Sequence, residues 1–194
     1  MEQVKGRGAQ SGDVSTRFGL STREADGDWR DEVEAIDGSA PKLRTDVTIE
    51  HPRSILSFNQ SPDIGFDRSV NAYRGCEHGC IYCFARPTHA YLDLSPGLDF
   101  ESKLFAKPTA AKLLAETLAK PGYSPRPIAM GTNTDPYQPI ESRYRITREV
   151  LEVCLDARHP VTITTKSDRV LADLDLIEEM ARKSLIAVAI SVTS

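Results

Sequence analysis

Four short apolar segments alternate with helical patterns along the chain, and this alternation is the strongest constraint on its fold. The segments are rich in β-branched and other apolar residues and cover residues 66–73, 126–132, 160–166 and 185–192. The patterns between them have apolar residues at every third or fourth position, as in an amphipathic helix. Continuous apolar strands separated by such helices are typical of a parallel sheet that is covered by helices. The sequence therefore predicts an α/β fold.

Three helical patterns connect these segments, at residues 109–120, 147–159 and 169–183. Each places its apolar residues on one helical face. The pattern at 147–159 includes Cys154 in its apolar stripe, together with Val150, Leu151 and Leu155. A cysteine in such a stripe is best interpreted as a small core residue. Cys154 is therefore not expected to bind a metal.

The two ends of the chain give different expectations. Residues 1–46 are polar and charged with few apolar residues, which predicts a disordered N-terminal tail before an ordered domain at 47–194. The fourth apolar segment is followed by no helical pattern before Ser194. We therefore expect the chain to be the N-terminal part of a longer domain that is truncated after its fourth strand.

The charge and the apolar runs limit the cellular setting. With a formal net charge of -4, the protein as a whole does not attract nucleic acid. The sequence does not exclude a local basic patch that binds it. No apolar run is long enough to cross a bilayer, and the N-terminus lacks the apolar core of a signal peptide. The expected compartment is therefore the cytoplasm, where thiols stay reduced. Grouped cysteines there indicate metal or redox chemistry more than disulfides.

Three of the four cysteines stand within eight residues, in a stretch we call the cysteine loop (residues 76–83). Cys76, Cys80 and Cys83 follow the spacing Cys-x3-Cys-x2-Cys. A structural zinc site usually takes four ligands from paired knuckles, and no second knuckle is nearby. A [4Fe-4S] cluster held by three thiolates leaves one iron without a protein ligand, and that iron can bind a small molecule. The loop therefore predicts a [4Fe-4S] cluster, with structural zinc as an alternative.

With Tyr82 just before the last cysteine, this spacing is similar to the signature of the radical S-adenosylmethionine superfamily. Four further segments resemble the branch that contains spore photoproduct lyase and bacterial relatives of unassigned substrate: GTNTDPYQPIE (131–141), ITREVLE (146–152), ITTKSD (163–168) and DLDLI (173–177). The resemblance covers residues 55–194. It implies a parallel-sheet partial (βα) barrel, here truncated after the fourth strand. It also implies an enzyme that reductively cleaves S-adenosylmethionine at a [4Fe-4S] cluster to start radical chemistry on an unknown substrate.

Ligands of parallel α/β folds gather at the carboxyl ends of the strands, so the loops after the four predicted strands are expected to share one face of the sheet. The resemblance assigns contacts to S-adenosylmethionine in or beside these loops. Thr132, Asn133 and Asp135 would accept from its ammonium group, and Lys166 would pair with its carboxylate. Ser191 would reach a ribose hydroxyl, and Tyr82 would flank the adenine. Each of these residues also has a purely structural interpretation. The loop with Thr132, Asn133 and Asp135 can be an Asx-capped turn, and Lys166 can be solvated. Ser191 can be hydrogen-bonded to backbone, and Tyr82 can be a packing residue.

The resemblance also implies partners. An electron donor of the flavodoxin or ferredoxin kind would reduce the cluster, and no membrane partner is expected. Nucleic acid is one candidate substrate by analogy with the lyase, although likeness of fold does not establish a substrate. Two other functions stay open: a truncated module that binds the cluster and S-adenosylmethionine without turnover, and a structural zinc protein.

Overall fold

The structure, a computed structural model, describes residues 7–8 and 43–192. The predicted disordered tail, residues 1–46, lies outside the described residues except at 7–8 and 43–46. Two compact units are present. The first contains the described chain up to Thr48 together with Arg74–Phe105, and the second contains Ile49–Tyr73 together with the described chain from Ala106 onward.

The described residues form short strands and short helices. The strands are β1 (Asp46–Ile49), β2 (Leu56–Phe58), β3 (Arg68–Val70), β4 (Tyr73–Arg74), β5 (Lys103–Ala106), β6 (Ile128–Met130), β7 (Val161–Thr165) and β8 (Ile186–Ile190). The α-helices are α1 (Leu98–Ser102), α2 (Ala110–Leu118), α3 (Glu141–Tyr144), α4 (Ile146–Asp156) and α5 (Leu174–Arg182). Two 3-10 helices cover Arg86–Leu92 and Asp168–Asp173. None of the helices in the described ranges is long and apolar enough to cross a membrane.

A five-stranded sheet forms the centre of the second unit, in the order β2-β3-β6-β7-β8. Its last four strands run parallel, and one row across them aligns Val70, Met130, Ile163 and Val188. These strands lie within the four predicted apolar segments, and the parallel direction follows from the helical connections between them. The four predicted strands therefore pair in parallel, as the sequence indicates.

The predicted fold class, a parallel-sheet partial (βα) barrel, is wrong. Strand β2 pairs antiparallel with β3, so the five-stranded sheet is mixed. A separate three-stranded sheet has the order β1-β5-β4, and neither sheet closes into a barrel within the described residues. The additional strands β1, β2, β4 and β5 have two to four residues each, which is too short for a residue period to identify them. Their pairing depends on contacts that are distant in sequence.

The helices of the second unit bury the centres of the predicted apolar stripes, but in the third pattern Leu171 is 66% exposed and Leu174 is 46% exposed. Leu114 of α2, Leu151 of α4 and Met180 of α5 have no exposed surface. The third predicted helical pattern differs at its start, because residues 168–173 form a 3-10 helix and α5 begins only at Leu174. Ser167 favours this arrangement, since its side chain accepts a hydrogen bond from the amide of Arg169.

Strand β8 pairs only with β7 among the described residues, and its side chains are largely exposed. Val188 is 38% exposed and Ile190 is 54% exposed. An unpaired apolar strand edge promotes pairing with another chain. We therefore expect the 194-residue chain to self-associate as its concentration rises.

Ile190→Lys should weaken this association about 10-fold, because burial of one isoleucine contributes about 1.5 kcal/mol. Sedimentation velocity over a range of protein concentrations measures the change. Thr164→Lys is the matched control, since Thr164 is exposed on the neighbouring strand β7 and the substitution leaves the apolar side chains of β8 in place. Equal association of the Ile190→Lys variant and the unmodified chain would contradict the prediction.

Candidate functional site

The cysteine loop, which belongs to the first unit, folds as two consecutive turns. The amide of Gly79 donates to the carbonyl of Cys76 (3.4 Å), and the amide of Cys83 donates to the carbonyl of Cys80 (3.2 Å). Gly79 has a φ of +61°, a left-handed conformation that glycine adopts without steric penalty. The Cys-x3-Cys-x2-Cys spacing thus places one cysteine at the start of each turn and one at the end of the second.

Backbone and packing contacts hold the first cysteine against α1. The amide of Cys76 donates to the carbonyl of Phe100 (2.9 Å), and Cys76 is buried. Gly75 has a φ of +73°, and an added Cβ there would lie 2.8 Å from the backbone carbonyl oxygen of Phe100 and 2.5 Å from Cδ2 of Leu104. Cys76 and Phe100 belong to one buried cluster, and Cys83 packs against that cluster. Only glycine fits at position 75, and two of the three thiol residues share one apolar environment.

His89 is a buried residue of the first unit that the sequence analysis did not identify as such. Its Nε2 donates to the carbonyl of Lys103 (2.9 Å), and its ring packs edge-on against Phe100 with centroids 5.1 Å apart. Burial lowers the pKa of His89 below its ordinary value. The short 3-10 helix that carries His89 has no apolar period to reveal this burial. His89 is therefore a neutral packing residue.

The four cysteines separate into two kinds. None of them is in a disulfide. Cys154 has no exposed surface on α4, and burial raises the pKa of its thiol to about 12, so its prediction as a core residue is confirmed. The cysteine loop presents the other three as the candidate metal ligands. Within residues 7–8 and 43–192, no three His, Cys, Asp or Glu side chains are already arranged around a common metal position.

In the second unit, Asn71 joins the end of β3 to the loop after β6. Its Nδ2 donates to Oγ1 of Thr132 (3.1 Å), and its Oδ1 accepts from the amide of Asn133 (3.1 Å). Two residues predicted to bind a cofactor are thus held by one side chain. Asn71 was not predicted as a site residue, although its position near the end of the first predicted strand segment was an available signal.

Asp135 joins the same loop to the end of β7. Its Oδ1 accepts from Oγ1 of Thr165 (2.6 Å) and from the amide of Tyr137 (2.9 Å), and its Oδ2 accepts from the amide of Lys166 (2.9 Å). Asp135 is only 9% exposed. Both carboxylate oxygens are therefore engaged within the protein, and Asp135 holds the loop in place.

The other predicted contacts have different surroundings. Lys166 is half-buried directly after β7, and the exposed Ser191 donates its amide to the carbonyl of Thr165 (2.8 Å). Because β6, β7 and β8 are parallel, their carboxyl ends bring five of the six predicted residues to one edge of the sheet: Thr132, Asn133, Asp135, Lys166 and Ser191. Tyr82 belongs to the first unit and is 63% exposed.

Glu141 is a buried carboxyl group that connects α3 to α4. It accepts a hydrogen bond from the hydroxyl of Tyr73, and its Oε1 accepts from the amide of Thr147 (3.0 Å). The carboxyl group therefore satisfies an amide in the first turn of α4 that has no partner within the helix. Burial raises the pKa of Glu141 above its ordinary value, and the hydroxyl of Tyr73 partly offsets that effect.

Tyr73→Phe should lower the free energy of unfolding by about 1.5 kcal/mol at neutral pH and by less in acid. The raised pKa of Glu141 means that its contribution is fully present below the unfolded pKa and is lost as pH rises through the folded pKa. Removal of the hydroxyl raises this pKa further, so the loss grows with pH above the ordinary value of 4.5. Urea denaturation on both sides of that pH measures the effect. Tyr82→Phe is the exposed control, and a pH-independent difference would refute the mechanism.

The aspartates of the DLDLI segment hold α4 to α5. Asp173 has no exposed surface and accepts from Nη2 of Arg145 (2.8 Å) and Nη1 of Arg148 (3.0 Å). Arg148 also donates to Oδ2 of Asp175 (2.7 Å), and this hydrogen bond lowers the pKa of Asp175 to about 2. These aspartates therefore have a structural role in the second unit.

A cavity of about 620 Å³ opens at the amino end of the five-stranded sheet. Asp67 lies in this cavity and pairs with Arg68 (2.8 Å) and with Arg126 (3.2 Å). The predicted cofactor contacts of the second unit lie at the opposite, carboxyl end of the same strands. The charges of this cavity are already paired with one another.

Comparisons with known proteins give relatives without an assigned function. Proteins of Mycobacterium tuberculosis and Mycobacterium bovis, each titled "uncharacterized protein", are 43% identical to the chain over 126 residues. The match covers 65% of this chain and 37% of each relative. A protein of Methanocaldococcus jannaschii with the same title is 31% identical over 112 residues, which are 58% of this chain and 40% of that protein.

The chain therefore spans less than half the length of the relatives that it matches. No known protein family matches the chain. No solved structure matches it either.

Proposed function

We propose that the chain is an iron–sulfur protein of the radical S-adenosylmethionine type, whose cluster is held by Cys76, Cys80 and Cys83. The observation that carries this proposal is the spacing of three thiols on two consecutive turns. The fourth cysteine, Cys154, lies on a helix and is buried in the protein core. The reaction would be the reductive cleavage of S-adenosylmethionine, which starts radical chemistry on a substrate. The cluster, when bound, supplies the electron for that cleavage.

The cysteine loop fits such a cluster by the chemistry of its ligands. Thiolates are the usual protein ligands of iron–sulfur clusters, and all three cysteines are outside disulfides. Two turns order the backbone of the loop, and Gly75 and Gly79 are suited to its left-handed positions. The three side chains would gather on cluster binding, because no three-ligand group exists beforehand in the described part of the chain.

The second unit would bind the amino-acid part of S-adenosylmethionine at the carboxyl edge of its sheet. Thr132 and Asn133 present polar groups there and are oriented by Asn71. Lys166 would pair with the carboxylate of the cofactor, and Ser191 would contact its ribose. Asp135 supports this arrangement through Thr165 and Lys166, so its part is to position the loop. Tyr82 would flank the adenine.

The proposal includes an electron donor and a candidate substrate. A flavodoxin- or ferredoxin-like protein would supply electrons in the cytoplasm. Nucleic acid is one candidate substrate, and the net charge of -4 means that binding would need a local basic patch.

Anaerobic reconstitution with iron and sulfide tests this function. We expect equal amounts of bound iron and sulfide, visible absorption typical of an iron–sulfur cluster, and an electron paramagnetic resonance spectrum that changes when S-adenosylmethionine is added. Formation of 5'-deoxyadenosine after reduction would support turnover. Retention of zinc with no uptake of iron and sulfide would overturn the proposal in favour of a structural zinc site.

A second candidate is a module that binds the cluster and S-adenosylmethionine without turnover. The observation in its favour is that the chain matches only 37% of the length of its mycobacterial relatives. A spectrum that responds to S-adenosylmethionine, without formation of 5'-deoxyadenosine, would identify this module.

A further inference from the structure

Arg86 lies shortly after the cysteine loop, and most of its side chain is buried. The side chain is 12% exposed. Its Nε donates to the carbonyl of Cys80 (3.0 Å), its Nη1 donates to the carbonyl of Gly97 (3.2 Å), and its Nη2 donates to Oε1 of Glu101 (2.5 Å). One planar group thus joins the central cysteine of the loop to both ends of the segment that carries α1.

The same guanidinium group packs on the apolar environment of the other two cysteines. Its central carbon lies 5.4 Å from the centroid of the Phe100 ring. Phe100 shares a buried cluster with Cys76 and accepts the amide hydrogen of Cys76 through its carbonyl, while Cys83 packs against the same cluster. The backbone amide of Arg86 donates to the carbonyl of Cys83 (3.3 Å). Arg86 and its stacking partner therefore contact the surroundings of all three cysteines.

Glu101 keeps the Arg86 side chain in this orientation. It has no exposed surface, so its carboxylate depends on partners within the protein. Besides the guanidinium of Arg86, it accepts from the backbone amides of Arg7 (2.5 Å) and Gly8 (3.1 Å). Lysine cannot reproduce this arrangement, because a single ammonium group lacks the planar set of donors that reaches three acceptors at once.

We propose that Arg86 is a positioning residue that holds the turn carrying Cys80 in place before any metal binds. The inference rests on the proposed function for its consequence, which is retention of the cluster. Partners that orient metal ligands are typically worth about 10-fold to 100-fold in metal affinity.

The test compares the full chain with Arg86→Gln, Arg86→Lys and Arg44→Gln. Arg44 is exposed in the same unit, and no hydrogen bond among the described residues joins its side chain to the loop, so Arg44→Gln makes the same chemical change without removing such a contact. In the metal-free proteins, alkylation of each cysteine by iodoacetamide is followed by peptide mass spectrometry. In the reconstituted proteins, loss of the cluster to a ferrous chelator is followed by absorption.

We expect Arg86→Gln to alkylate at Cys80 several-fold faster than the unmodified chain, and to lose its cluster roughly 10-fold faster. Arg86→Lys should show smaller changes in the same direction, and it tests the donor geometry with the charge retained. Arg44→Gln should behave as the unmodified chain. Circular dichroism identifies any variant that fails to fold. If Arg86→Gln does not fold, the alkylation and cluster-loss rates of Arg86→Lys decide the result.

The outcomes separate the two proposals. Unchanged alkylation of Cys80 in both Arg86 variants would overturn the positioning role, whether or not the chain binds a cluster. Faster alkylation in a chain that takes up no iron and sulfide would support the positioning role and overturn the proposed function. Faster alkylation with an unchanged rate of cluster loss would overturn the link between this residue and cluster retention.

Discussion

Alanine at Cys76, Cys80 or Cys83 should each abolish the visible absorption of the reconstituted protein. Three thiolates leave no spare ligand, so the loss of one leaves two protein ligands for the cluster. Cys154 cannot replace the lost thiolate, because it is buried in α4 with a pKa raised to about 12, and the thiolate is the form that binds metal. The measurement is the absorption spectrum together with iron and sulfide content after anaerobic reconstitution.

Cys154→Ala is the matched control for these variants. It should retain the absorption and lose only about 1 kcal/mol of stability, because removal of one buried sulfur leaves a small cavity. The three-thiolate site would be refuted if Cys154→Ala lost the cluster as fully as the loop variants. It would also be refuted if any loop variant kept a full complement of iron and sulfide.

Asp135→Ala should lower the free energy of unfolding by about 3 kcal/mol. The substitution removes the acceptor of the Thr165 hydroxyl and of the amides of Tyr137 and Lys166. The hydroxyl and the Tyr137 amide are buried, so neither gains full hydration in exchange. Urea denaturation monitored by circular dichroism measures the loss.

Asp135→Asn provides the isosteric comparison. It keeps one acceptor oxygen and should lose only about 1.5 kcal/mol. If the alanine and asparagine variants were equally stable, the hydrogen bonds to the oxygen that asparagine keeps would not contribute as inferred. If the alanine variant were as stable as the unmodified chain, Asp135 would not hold the loop after β6 to the end of β7.

Much of the second unit was predictable from the sequence. The parallel strands β3, β6, β7 and β8 lie in the four apolar segments, α2 lies in the first helical pattern, and α4 overlaps the second. These elements follow from the composition and period of consecutive residues, which depend little on the rest of the chain. The two turns of the cysteine loop depend equally on neighbouring residues, because each is closed by a hydrogen bond between residues three apart, Cys76 to Gly79 and Cys80 to Cys83.

The predicted barrel failed because fold class depends on which segments pair. Strands β4 and β1 do not have an apolar segment of their own, as β3 and β6 do, and they exist only where another strand supplies hydrogen bonds. The antiparallel direction of β2 arises in the same way, from its pairing with β3. None of these pairings has a signal in the neighbouring residues.

The roles of the charged residues also depended on tertiary contacts. Tyr73 and Glu141 meet across 68 residues of sequence, Asp135 and Thr165 across 30, and Arg86 and Glu101 across 15. Residue type and spacing identified the thiols and the strand-end polar groups, since those signals reside in neighbouring residues. Only the folded chain decided which carboxylates are buried and engaged, because a buried charge is stable only where distant segments bring hydrogen-bond partners to it.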